Sequence, residues 1–145
     1  MRDSYTAYLI RISDLVKFKP TPGTNHMQPD GWMVVGLDAN FYSRAATQVK
    51  TGDLLGKPAT VRFTPVAYRW SYGDGSSRVT TTPGATWHAL GLDEFDRTAT
   101  SHAYRAAGTY VIDLSIGFVP EYRYASDTDW IPIAGYVWSS ANRLV

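Results

Sequence analysis

Cysteine is absent from the 145-residue chain, which excludes a disulfide framework, a thiolate metal site and a cysteine nucleophile. Charge of one sign is also lacking. The 14 Lys and Arg against 13 Asp and Glu leave a formal charge of +1, too balanced for the basic footprint of a nucleic-acid binder or of a protein held on an anionic membrane. No apolar run approaches the roughly 20 residues of a membrane-spanning helix, so no membrane insertion is expected. The opening Met1-Arg2-Asp3-Ser4-Tyr5 is not a signal peptide; an exported protein would have lost its leader from this chain. Also missing are a Gly-x-Ser-x-Gly elbow, a phosphate-cradling glycine loop between strand and helix, and a His-Glu-x-x-His pair. The histidines at 26, 88 and 102 lie far apart, and nothing selects a carboxylate pair for glycoside hydrolysis. The expectation is therefore a noncatalytic protein without metal or cofactor.

What the chain does hold is aromatic side chains in alternating patterns. It carries five Trp, ten Tyr and five Phe, and helical periodicity is scarce. Tyr68, Trp70 and Tyr72 alternate with polar residues, and Gly73-Asp74-Gly75 follows. One strand face is thus apolar, and two glycines around an aspartate supply a turn needing positive φ. Downstream, Tyr110, Ile112, Leu114, Ile116 and Phe118 alternate with Val111, Asp113 and Ser115, the signature of a strand with one face on a core. Val61 and Phe63 sit on odd positions and Tyr68 to Tyr72 on even ones, so the facing must switch, with Pro65 as the corner or bulge.

The rest of the chain divides into short strands and turns. Tyr8, Ile10, Ile12, Leu15, Val16 and Phe18 read as an opening strand broken near Ser13-Asp14, and residues 19–31, rich in Pro and Gly, as a long loop. Trp32 to Leu37 reads as a buried strand that Asn40 to Ser43 extend, and Arg78 to Thr82 as a short strand. Trp87 to Leu92 forms a helical turn, Ala125 to Asp129 a reversal, and Trp130 to Trp138 a returning strand before a last one. That makes about nine or ten strands, and a chain of this length buries about 68–70% of its unfolded surface as one domain over 1–145.

The series Trp70-x-Tyr72-Gly73-Asp74-Gly75, then His102-x-Tyr104, then Gly108-x-Tyr110-Val111, resembles the PKD domain, named for polycystic kidney disease protein. The likeness covers residues 55–119 best, with 83–97 as an insertion after the Gly-Asp-Gly hairpin. Among such chains it looks most like small secreted or surface proteins of actinobacteria. The resemblance implies an all-β, immunoglobulin-like sandwich, an extracellular or cell-surface location, and contact with protein or polysaccharide. It gives Trp70, Tyr72, Gly73, Asp74, Gly75, His102, Tyr104, Gly108 and Tyr110 structural roles, His102 packing near the hairpin.

Carboxylates at 93, 94 and 96, and at 127 and 129, have spacing that could meet a hard cation, but solvated loops are the preferred reading. Trp32 and Trp70 are expected to be buried, whereas Trp87 falls in the insertion. Tyr122, Arg123, Tyr124, Trp130 and Trp138 flank the last hairpin, outside the matched family region, and are the candidate partner-binding residues. Protein contact, adhesion or assembly is the first functional expectation, and carbohydrate binding the alternative.

Overall fold

The computed structural model describes residues 10–125 and 128–145; Tyr8 and Asp127 lie outside them. Among the described residues nine strands form two antiparallel sheets. The smaller has the order β1 (Thr24–Gln28), β2 (Asp38–Arg44), β6 (His102–Ala103). The larger is built on β4 (Lys57–Ser71) and β7 (Asp113–Tyr124), with β3 (Gln48–Leu54) and β5 (Ser77–Thr80) along β4, and β8 (Ile131–Pro132) and β9 (Val137–Ser140) along β7. The chain is an all-β sandwich, as expected.

Sequence alternation decides which side of each strand meets the other sheet. Val61 and Phe63 face inward, the β4–β7 register shifts between Pro65 and Ala67, and beyond it Tyr68 and Trp70 face inward instead. Val66 is the extra residue that turns the facing over. On β7 no shift occurs, and Leu114, Ile116 and Phe118 are buried in one row. With Met27, Ala39 and Phe41 from the smaller sheet they form one core, and burial at about 25 cal/mol per Å² of apolar surface is what holds the sheets together.

Four sequence expectations are corrected. Residues 19–31 are not a loop throughout, because Thr24–Gln28 forms β1 along β2. Residues 10–18 are not a strand: Ile12–Leu15 is a 3-10 turn, closed as the Asp14 carboxylate accepts the Arg11 N–H at 2.8 Å. Leu15 and Phe18 are buried three apart, and the Phe18 ring lies over Gly52, where a Cβ would sit 3.1 Å from it. Trp32 to Leu37 is an exposed loop, with Trp32 57% exposed. Gly31 and Gly36 both hold positive φ, and a Leu37 N–H to Val34 C=O bond of 3.1 Å closes a turn between them. Trp130 to Trp138 is two short strands, β8 and β9, both on the β7 edge.

The insertion is pinned down. Buried Asn40 donates to Gln28 Oε1 and the Ala85 carbonyl and accepts from Thr98 Oγ1, at 3.0, 2.7 and 2.9 Å. Trp87 is buried within it, its indole N–H donating to the Asp96 carbonyl at 3.0 Å.

Candidate functional site

The Gly-Asp-Gly hairpin and its neighbours form a stack of rings. Gly73 has φ +85°, and a Cβ there would run into the Val111 backbone, so glycine is needed twice over. Gly75 needs only its positive φ of 91°. Asp74 Oδ1 accepts the Ser76 N–H at 3.0 Å, and Oδ2 lies 2.6 Å from His102 Nε2. His102 stacks flat on Tyr72, centroids 4.4 Å apart, and meets Tyr104 edge-on; Tyr104 in turn stacks on Tyr110. The Tyr104 hydroxyl donates to the Tyr72 carbonyl at 2.8 Å, and the Tyr72 hydroxyl to that of Thr100 at 3.1 Å. At Gly108 an added Cβ would touch the Tyr110 ring only at ordinary contact distance.

Electrostatics there follow from burial. Burial pushes the Tyr72 hydroxyl up to about 12, Arg78 opposing the shift, and raises Tyr104 further, helped by Asp74. For Asp74 burial acts upward, but the His102 contact and the Ser76 amide outweigh it and hold its carboxyl below the ordinary range. These contacts lock the Gly-Asp-Gly turn and the end of β4 to β6 and the residues that follow it.

The five candidate partner-binding residues separate onto two faces. Tyr122 and Tyr124 continue the inward row of β7, opposite Val61 and Ala59, and are half-buried against the core. Their rings meet edge-on at 5.7 Å, and the Tyr124 hydroxyl donates to the Leu54 carbonyl at 3.0 Å. Arg123, Trp130 and Trp138 lie on the outer face of the larger sheet. Two guanidiniums, Arg62 and Arg123, lie over the Trp130 ring at 4.5 and 4.4 Å from its centroid. Arg62 also binds Glu121 Oε1 through Nε and Nη2 at 3.0 and 2.8 Å.

Trp138 pairs with Gly117, where a Cβ would be 3.0 Å from the indole, so the missing side chain lets the ring lie on the sheet. Arg69 caps it at 4.2 Å, and Tyr136, 51% exposed, leans on it at 5.8 Å. Sequence reading missed Arg62, Arg69 and Tyr136. The available signal was that both arginines occupy polar positions of β4, opposite in facing to its core residues.

Among the described residues no group of three or more His, Asp and Glu is placed to hold a metal. Asp93, Glu94 and Asp96 do not converge on a point; Asp96 Oδ2 instead accepts the Asp93 N–H at 3.0 Å. No helix among the described residues is long and apolar enough to cross a membrane.

Comparison with curated proteins and with solved structures gives no match. The PKD domain family model does match, over residues 45–116, starting earlier than the 55–119 read from the motifs. That span holds β3, β4, β5, β6 and the first part of β7, including the hairpin and its ring stack, and the chain therefore carries a PKD domain.

Proposed function

We propose that the chain is a noncatalytic module of the cell surface or extracellular space that binds a protein partner, acting as one unit over 1–145 in adhesion or assembly. PKD domains are generally noncatalytic, immunoglobulin-like modules of extracellular type, often engaged in protein contacts. The observation that carries the proposal is the outer face of the larger sheet, where Trp130, Trp138 and Tyr136 are set among Arg62, Arg69 and Arg123. Trp, Tyr and Arg supply most hot-spot energy in interfaces. Glu121 balances one of these three arginines, so the face fits a partner with an acidic patch.

Carbohydrate binding is the second reading, supported by the half-exposed rings along the β8–β9 edge. It is weaker because arginines already lie against Trp130 and Trp138, where a sugar ring would stack. Binding to protease-treated and to periodate-treated surface preparations of the source cell separates the two. Protease should abolish binding and periodate should not, and Trp138→Ala should weaken it about thirtyfold, the equivalent of a hot spot of about 2 kcal/mol. Loss after periodate alone overturns the protein reading in favour of the glycan one.

A further inference from the structure

The open edge of β1 borders a cleft that the outer-face proposal leaves unused. In an antiparallel pair, the residues whose main-chain groups face away from the partner strand recur at every second position. Asn25 is one of them: its N–H donates to Asn142 Oδ1 at 2.8 Å, and its carbonyl accepts from Asn142 Nδ2 at 3.1 Å. The side-chain amide of Asn142 thus stands in for a neighbouring strand. Met27, two residues on, faces the same way, and among the described residues its N–H and carbonyl have no partner. Pro29 follows without an N–H, so Met27 offers the free donor and acceptor of this edge.

Two hollows meet at that residue. Met27 and Trp32 border both a mostly apolar hollow of about 350 Å³ and an open cleft of about 1070 Å³. Asn25, 1% exposed, borders the larger, and neither the oxygen nor the nitrogen of its side chain has a hydrogen-bond partner. A buried amide left unsatisfied on both atoms is costly, and a bound polar group relieves it. The cleft rim carries Asp30, Asp93 and Glu94, none paired with a cation, and no Lys or Arg lines it. Its titratable groups besides these are Tyr42, His26, whose Nε2 contacts Thr24 Oγ1 and whose ring stacks on that of Tyr42, and exposed His88.

We propose that this cleft is a second binding site, taking an extended, basic peptide segment that adds as a strand to β1. The Met27 main chain pairs with the peptide backbone, Trp32 covers an apolar side chain, and the unpaired carboxylates receive a Lys or Arg. The free main-chain pair favours a peptide over a glycan, and the charge of the rim favours a basic one.

The test uses a capped, fluorescently labelled peptide alternating valine and lysine, with a valine–glutamate peptide and a neutral glucose oligosaccharide as comparisons. Saturable anisotropy with the lysine peptide is expected, with Met27 and Asn25 amide resonances shifting. The double variant D93N/E94Q should weaken it about tenfold, while Trp130→Ala on the other face leaves it unchanged. Asp93 and Glu94 are exposed, so the double variant should keep its melting temperature. N-methylation of the central residues should weaken binding about tenfold as well. Equal binding of the glutamate peptide, indifference to D93N/E94Q, binding of the oligosaccharide alone, or no saturation up to about 1 mM lysine peptide each overturns the proposal.

Discussion

Trp70 shows how one side chain ties hairpin to core. It is fully buried on β4, and its indole N–H donates to Thr80 Oγ1 on β5 at 3.1 Å. Trp70→Ala should cost about 3–5 kcal/mol in a denaturant titration, because the surrounding sheets cannot close on so large a cavity. Asp74 makes a smaller and pH-dependent contribution. Its carboxyl is held below its ordinary value of 3.8, so its stabilisation is present above that value and is lost as pH falls through the lower, folded one. Asp74→Asn should therefore flatten the fall of unfolding free energy as pH drops below the ordinary carboxyl value of 3.8. Asp74→Ala should cost about 0.5–2 kcal/mol at neutral pH, by analogy with a lost side-chain cap. Unfolding curves for the three proteins across that range check both statements; an acid limb as steep in Asp74→Asn as in the parent contradicts the first.

The elements differ in how much of them could be read beforehand. Alternation on β4 and β7 gave their facing, because period-two burial is local information, and the clash of odd and even positions located the bulge at Pro65 to Ala67. The apolar run from Trp32 to Leu37 was ambiguous by nature: a buried strand and an exposed loop have the same composition, and only Gly31 and Gly36 marked the difference. Residues 10–18 went the same way, since the hydrogen bond from Arg11 to Asp14, not hydrophobicity, fixes the turn. The outer-face site was half legible. Trp130, Trp138 and Arg123 stood out by residue type, but their grouping with Arg62 and Arg69 depends on the β4–β7, β7–β8 and β7–β9 registers, which no local pattern encodes. Gly117 lies at the last of these, opposite Trp138. Gly117→Ala should push the Trp138 indole off the sheet and break its stack on Arg69, red-shifting tryptophan fluorescence while costing about 1–3 kcal/mol. An unshifted spectrum contradicts the packing described.

At the scale of the whole molecule, the two sheets leave one broad outer face bearing arginines and indoles, on the edge of the larger sheet opposite β3. A partner drawn there by charge should be held less tightly as salt rises, since the Debye length falls from about 10 Å at 0.1 M to about 3 Å at 1 M. The most direct test is site-specific photo-crosslinking on the source cell surface. One probe replaces Ser140, exposed and two residues on from Trp138 on the same face; the other replaces exposed Arg105 in the loop after β6. The account predicts a discrete protein adduct from position 140 that Trp138→Ala abolishes, and none from position 105. An adduct from position 105 alone, or one at position 140 indifferent to Trp138→Ala, would contradict it.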